Sequence, residues 1–385
     1  MHQAEASRAS EELQDYFEDG ASRALSLGNR GPLRLDSAGQ LDPEILEAYE
    51  RIGFYVFENL IGETELAELR ADLADLLERA PAGEGLEVDA RGRSAAGSGG
   101  QPAFAWARPL SDPWGGTSLL NGRHAVRMEE YETGTDSPEK AIFLILGLFG
   151  EMSSTLRLSA HPSLLRVAES INGSDFVPYN DSIFLKEPGI GAAVAWHQDG
   201  TTHWDDPMWD PGIHGFNFMA QLFRTTPGNG LWVVPGSHQK GHIDIRSVVA
   251  ANGDSTRLPD AVPMLCEAGD VAICNRQCLH ASFANTSPDR RATFVWGFFR
   301  RNSVLDVEAD IPTTSDEQAA NRRSYTAESI AARRRFVEIA IDARRQHRPD
   351  EVPYRVAEAP EHEQRWSAEE RAEELRDYAR GTIFI

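Results

Sequence analysis

Apolar positions recur along this chain with two different periods. Between 63 and 79, Leu66, Leu69, Leu73, Leu76 and Leu77 fall on one stripe at three- and four-residue spacing, which predicts an amphipathic helix. Residues 43–51, 162–171, 328–345 and 368–380 also read as helices, and a short helix is expected near 11–17. The apolar run AIFLILGLF at 141–149 is too short to span a bilayer and reads as part of a buried helix over 140–158. Shorter runs rich in β-branched and aromatic residues read as strands: Phe54-Tyr55-Val56-Phe57, Val194-Ala195-Trp196-His197, Phe218-Met219-Ala220-Gln221-Leu222, Val271-Ala272-Ile273-Cys274 and 291–298. Between the first helices and these strands, 81–118 is rich in Gly, Pro and Ala and reads as a long loop.

The polar residues set into the strands carry the chemistry. Side chains at i and i+2 of an extended segment point the same way, so His197 and Asp199 can reach one metal. His280, some way downstream, offers a third ligand. Two imidazoles and one carboxylate make a facial triad with open positions, which suits non-haem Fe(II) oxygenases. About eleven residues past His280, Arg291 adds a fork suited to a dicarboxylate co-substrate, and Thr293 shares its strand face. Arg290 is a rival that the spacing disfavours.

Several stretches together resemble the phytanoyl-CoA dioxygenase family of Fe(II)/2-oxoglutarate oxygenases. They are LEAYERIGFYV at 46–56 followed by Asn59-Leu60-Ile61, then Lys186-Glu187-Pro188-Gly189 leading to WHQDG at 196–200. Asn229-Gly230 leading to Pro235-Gly236-Ser237-His238 follows, and then Gly269-Asp270-Val271 leading to Leu279-His280. The resemblance covers roughly 41–300. An H-x-D pair alone is weak evidence, but these motifs in this order are specific.

The resemblance implies a mainly β fold with flanking helices around a double-stranded β-helix, a cupin-like jelly roll that houses its site between two sheets. It implies Fe(II) on His197, Asp199 and His280, with 2-oxoglutarate and O2 as co-substrates. It implies that Arg291 holds the distal carboxylate of 2-oxoglutarate, with Thr293 beside it and Asn180 or Ser182 as further contacts. The expected reaction is hydroxylation of a substrate C–H bond, with release of succinate and CO2. Related halogenases replace the carboxylate ligand with a small residue; Asp199 is present, which favours hydroxylation. Desaturation and cyclisation share the same ligands and stay open. So do a Zn(II) hydrolase on the same scaffold, which would leave Arg291 and Thr293 without a role, and a binding protein that has lost turnover.

Substrate contacts are harder to read. His203 would extend the motif to H-x-D-x-x-x-H and is taken as a pocket residue rather than a ligand. Trp204 and Trp209 lie in the loop after Asp199 and could stack on a substrate, or simply shape a surface loop. Asp205, Asp206 and Asp210 in that loop favour a cationic or neutral polar molecule over a CoA thioester. Gln221 is expected to point inward by strand alternation. His238 is expected to buttress the hairpin of the PGSH turn.

Composition narrows the setting. With 60 acidic against 38 basic residues, the formal net charge is −22, which argues against nucleic acid and weakly against an anionic membrane surface. The three cysteines form no disulfide or zinc framework and fit a reducing cytoplasm; Cys278 is read as a small buried hydrophobe. The chain divides into an acidic, partly mobile leader at 1–40, an oxygenase domain at 41–301 and a helical extension at 302–385. The substrate is a small molecule, with no nucleic acid or membrane partner expected. The pattern is silent on oligomeric state.

Overall fold

The computed structural model describes residues 2–199, 215–311, 321–356, 365–376, 378 and 383, with the backbone alone for 2–10, 180, 310, 311 and 321. The helices are α1 His2–Ser26, α2 Pro43–Ile52, α3 Glu63–Glu78, α4 Ser153–Ser159, α5 Pro162–Asn172, α6 Ile245–Ala251, α7 Ala327–His347 and α8 Ala368–Leu375. The early strands are β1 Arg30–Gly31, β2 Phe54–Phe57, β3 Ala103–Ala107, β4 Ala141–Leu146, β5 Val177–Lys186, β6 Val194–His197 and β7 Phe216–Gln221. The later ones are β8 Trp232–Val233, β9 Val262–Pro263, β10 Val271–Asn275, β11 His280–Ser282, β12 Arg291–Phe299, β13 Glu308–Ile311 and β14 Asn321–Ser324.

Two sheets face each other. The larger has the order β1-β2-β10-β7-β12-β5-β4-β3 and the smaller β6-β11-β8-β9. Only β1 with β2 is parallel; the other recorded pairings are antiparallel. Val56, Met219 and Ala272 from the large sheet meet Val233 and Val262 from the small one in a shared apolar layer. An eight-stranded and a four-stranded sheet closed over one interior give the expected jelly-roll core with flanking helices.

Helices cover the outer face of the large sheet. Leu66, Leu69, Leu73 and Leu76 of α3 join Leu164 and Leu165 of α5 and Phe336 and Val337 of α7 in one core. There they meet Phe294, Trp296 and Phe298 of β12. Local sequence explains the helix ends. Asp42 caps α2 by accepting from Glu44 N at 2.9 Å, Pro43 supplies a preset φ, and Gly53 ends the helix at φ +94°. Buried Arg344 of α7 pairs with Glu65 of α3 at 2.6 Å and with Glu351 at 2.5 Å, which ties α7 to α3.

Four expectations need correction. The loop expected over 81–118 contains β3, which forms by pairing with β4, and the helical extension expected over 302–385 contains the paired strands β13 and β14 ahead of α7; in both places a strand forms because a distant segment offers it an edge. Residues 141–146 are strand β4, hydrogen-bonded between β3 and β5, not a helix. A short, continuous apolar run has no period to distinguish the two, and the free edges of its neighbours decide. The N-terminal helix is also longer than 11–17. It runs to Ser26 and lies on the outer face of the small sheet, where Tyr16 stacks on Trp232 at 4.6 Å and donates to Leu258 O at 2.9 Å. Among the described residues no helix is long and apolar enough to cross a membrane.

Candidate metal centre between the sheets

The antiparallel register of β11 against β6 sets His280 directly opposite His197. Their rings lie side by side, with centroids 4.1 Å apart. Asp199 follows two residues after His197, and its N–H donates to Arg276 O at 2.8 Å. One ligand atom from each of His197, Asp199 and His280 lies within 4.8 Å of the others. Between the two ligand segments Gln198 points the other way and donates to Gly241 O at 2.9 Å and Gln277 O at 2.7 Å.

The hydrogen bonds around the triad fix which atoms face its centre. Nδ1 of His197 lies 2.7 Å from Ala195 O, and Nδ1 of His280 lies 2.8 Å from Cys278 O. A carbonyl can only accept, so Nδ1 carries the proton in each ring and Nε2 offers its lone pair. Asp199 Oδ2 accepts from Asn217 at 2.9 Å, while Oδ1 lies 3.6 Å from His197 Nε2. Burial pushes the Asp199 carboxyl up, but Arg276, with His280, Arg123 and His197, outweighs it and holds the group well below the usual carboxylate range. Burial, then His280, pushes the His197 imidazolium well below its ordinary value, so the ring is neutral. Two imidazoles with Nε2 turned to the centre and one ionised carboxylate fit a divalent metal, and the carbonyls behind each ring are the outer partners such ligands need.

Arg291 and Thr293 stand on the same inner face of the large sheet. Both are buried; Arg291 Nε donates to Thr293 Oγ1 at 2.8 Å and Nη1 to Asn229 O at 3.2 Å. Thr293 in turn donates to Gln221 Oε1 at 2.6 Å. Gln221 therefore does point inward, as strand alternation predicted. Among the described residues no carboxylate pairs with Arg291, and burial pulls it down to about 10. Lys186, opposite Arg291 in the β5–β12 register, is also buried. It donates to Ala192 O at 2.6 Å and Phe283 O at 2.5 Å, and burial followed by Arg291 pushes it far down. A buried guanidinium with no counter-charge is a site waiting for an anion. Arg290 differs: it points outward and is held by Glu187, with Nε 2.9 Å from each carboxylate oxygen.

The remaining candidates separate clearly. Ser182 is buried on β5, opposite Val295. The backbone of Asn180 belongs to β5, while its side chain lies outside the described residues. His203, Trp204 and Trp209, with Asp205, Asp206 and Asp210, also lie outside the described residues. His238 reaches Glu50 O with Nε2 at 2.8 Å and so ties its turn to α2. Cys278 is buried against Gly53 O at 3.4 Å.

Sequence reasoning missed four neighbours. Asn217 could have been found, because it shares the strand face of Met219 and Gln221. Arg276 lies with Nη1 3.8 Å from Asp199 Oδ2 and packs on the Tyr179 ring at 4.4 Å. Arg123 and His124 come from the connection between β3 and β4, where no motif marks them. There Leu120, Asn121 and Gly122 take φ values of +52°, +59° and +69° in succession. For Leu120 such a conformation costs about 1–2 kcal/mol, and strain of this kind gathers at functional sites.

Comparison with known proteins follows the same lines. The family described as Phytanoyl-CoA dioxygenase (PhyH) matches residues 133–293. Phytanoyl-CoA dioxygenase 1 of Oryza sativa subsp. japonica is 34% identical over 113 residues, 28% of this chain and 39% of that one. The chain thus spans about two fifths of the length of that relative and of the Arabidopsis thaliana phytanoyl-CoA dioxygenase, of which 40% is covered. Ectoine dioxygenase of Bordetella bronchiseptica is 24% identical over 317 residues, 75% of this chain and 85% of that one. Among solved structures, EctD from S. alaskensis with bound Fe aligns at 21% identity and a TM-score of 0.47, over 70% of this chain and 81% of that one. The resemblance to this family read from the motifs is borne out.

Proposed function

We propose that this protein, whose residues 133–293 match the phytanoyl-CoA dioxygenase family, is an Fe(II)- and 2-oxoglutarate-dependent oxygenase that hydroxylates a C–H bond of a small molecule. One observation carries the reading. The interior holds a two-imidazole, one-carboxylate cluster with its ligand atoms turned inward, and the same interior holds a buried Arg291 that no carboxylate among the described residues pairs with. A hydrolytic metal site would need the first feature but has no use for the second.

Iron bound here would supply O2 activation coupled to oxidative decarboxylation of 2-oxoglutarate, giving succinate and CO2. The chain's own residues then have distinct tasks. His197, Asp199 and His280 hold the metal on one face, with Asn217 fixing the Asp199 carboxylate. Arg291, steadied by Thr293 and Gln221, binds the distal carboxylate of 2-oxoglutarate bidentately. Ser182 is buried on β5 opposite Val295, further along the sheet from Arg291. Hydroxylation is the reading for the intact triad; cyclisation or desaturation would use the same residues with a different substrate geometry.

Three free, buried cysteines support a reducing, cytoplasmic setting. The helical segment after residue 301 reads as a cap on the oxygenase domain, supported by α7 packing into the core under β12.

The test is an anaerobic titration of metal-free protein with Fe(II) and then 2-oxoglutarate, read by the weak visible charge-transfer band of the chelate. The band should form with wild type and vanish with His280→Ala. Iron retained without a band would overturn the reading in favour of a hydrolase or a binding protein.

A further inference from the structure

Arg123 and His124 are the groups near the metal centre that the proposed chemistry leaves unused. His124 is fully buried, and among the described residues neither ring nitrogen has a hydrogen-bond partner. Its ring sits 4.4 Å from that of His197 and 5.3 Å from Trp114. Arg123 Nε is likewise buried without a partner. Its Nη1 lies 3.7 Å from Asp199 Oδ1, beyond hydrogen-bond length, and Oδ1 is the oxygen turned toward His197 Nε2. At that distance the ion pair with Asp199 does not use the hydrogen-bonding fork of Arg123.

The backbone shows that this placement is held firmly. Asp112 accepts from Gly115 N at 3.0 Å and Met128 N at 2.8 Å, and Gly116 N donates to His124 O at 2.8 Å. The three successive left-handed residues before Arg123 turn the chain so that 123 and 124 face the triad. Buried polar atoms are normally satisfied, and strained backbone persists where the surroundings enforce it. Among the described residues, Arg123 Nε and both His124 ring nitrogens break the first rule at the end of a turn that needs the second. What would complete them is an acceptor group beside the metal: an oxyanion that Arg123 can grip with its fork and His124 can hydrogen-bond.

We propose that Arg123 and His124 form the substrate subsite of this centre, and that the substrate carries a carboxylate next to the carbon that is oxidised. The proposal rests on the oxygenase reading and deepens it. It assigns the two anionic molecules to opposite cations: 2-oxoglutarate to Arg291 on the large sheet, substrate to Arg123 on the loop. It departs from the cationic or neutral polar molecule expected from Asp205, Asp206 and Asp210, which lie outside the described residues; its support is that Arg123 and Arg276 both lie within 4 Å of the Asp199 carboxylate.

Calorimetry on Zn(II)-loaded protein tests this without turnover. 2-Oxoglutarate is titrated first, then hexanoate, hexanamide and hexyl phosphate separately. Wild type should bind hexanoate at least tenfold more tightly than hexanamide or hexyl phosphate. Arg123→Met should lose tenfold or more of hexanoate affinity while its 2-oxoglutarate affinity stays within twofold, and His124→Phe should lose several-fold of hexanoate affinity. Equal binding of acid and amide by wild type overturns the proposal, and so does the absence of any probe binding. Preference for hexyl phosphate overturns the carboxylate assignment. Loss of 2-oxoglutarate affinity in Arg123→Met overturns it too, by making Arg123 a co-substrate residue. The acid–amide comparison needs no variant, so it stands even where a substitution unfolds the loop. Failure of wild type to bind 2-oxoglutarate in the first titration counts against the oxygenase reading instead, and the probe series on metal-free protein still judges the subsite.

Discussion

The two faces of the large sheet are built from the same strands and do opposite work. Along β12, Ala292, Phe294, Trp296 and Phe298 enter the apolar core under the helices, while Arg291 and Thr293 face the metal centre. Along β5, Ile183 and Leu185 take the core side, and Ser182 and Lys186 share the register of the inner residues. The outer face is filled with aromatic rings in contact, such as Phe294 stacked on Trp296 at 4.7 Å. The inner face, apolar where Val56, Met219 and Ala272 meet the small sheet, elsewhere carries cations, amides and hydroxyls held by short hydrogen bonds. Adjacent residues on one strand thus divide between holding the fold together and binding ligands, and parity decides which role a position has.

Substitutions can break or sharpen that contrast. The largest effect is expected for His280→Ala, on the inner side of the small sheet. It should weaken Fe(II) binding by more than about 100-fold, measured by metal content after dialysis, with little change in thermal unfolding of the metal-free protein. A collapse of stability comparable to that of a core variant would erase the distinction between the faces.

Phe294→Ala probes the opposite face. It should cost about 3–5 kcal/mol of stability in urea unfolding, while the folded protein keeps its Fe(II) affinity. Arg291→Ala, three residues earlier and facing inward, should reverse that pattern. Its 2-oxoglutarate affinity should fall by about 30- to 1000-fold, corresponding to about 2–4 kcal/mol, with iron still bound. Unchanged co-substrate affinity would show that another cation, Lys186 first, holds the distal carboxylate.

The smallest effect concerns the exception on the outer face. Asp181 is buried there and accepts from Leu148 N and from Phe149 N, the latter at 3.0 Å. Burial pushes its carboxyl up to about 6, against the pull of those two hydrogen bonds. Between pH 4 and 6 the folded protein therefore holds more protons than the unfolded chain, so this group's contribution is greatest at low pH and declines as pH rises through 6. The decline amounts to about 2–3 kcal/mol. Asp181→Asn should remove it, so the variant's stability relative to wild type should rise from pH 4 to pH 7. A flat difference across that range would mean the carboxylate is already ionised and well solvated by its backbone donors.

Much of this was legible along the chain. The heptad-like leucines of α3, the capped α2 and the alternation in β7 and β12 are local patterns, and local sterics and capping fix them. The same alternation places His197 with Asp199, separates Arg291 from Arg290 and turns Gln221 inward. The motifs in their order identified the family. What sequence alone left undetermined were matters of long-range pairing. The run at 141–146 becomes a strand because β3 and β5 offer it edges on both sides. His280 joins His197 because one register of β11 on β6 sets them opposite. Arg123 and His124 reach the triad through a strained turn in a loop without a motif. A periodic pattern records which way a side chain faces, but not what lies across from it. That is decided only when distant segments close on one another and each buried polar atom either finds its partner or is left to await a ligand.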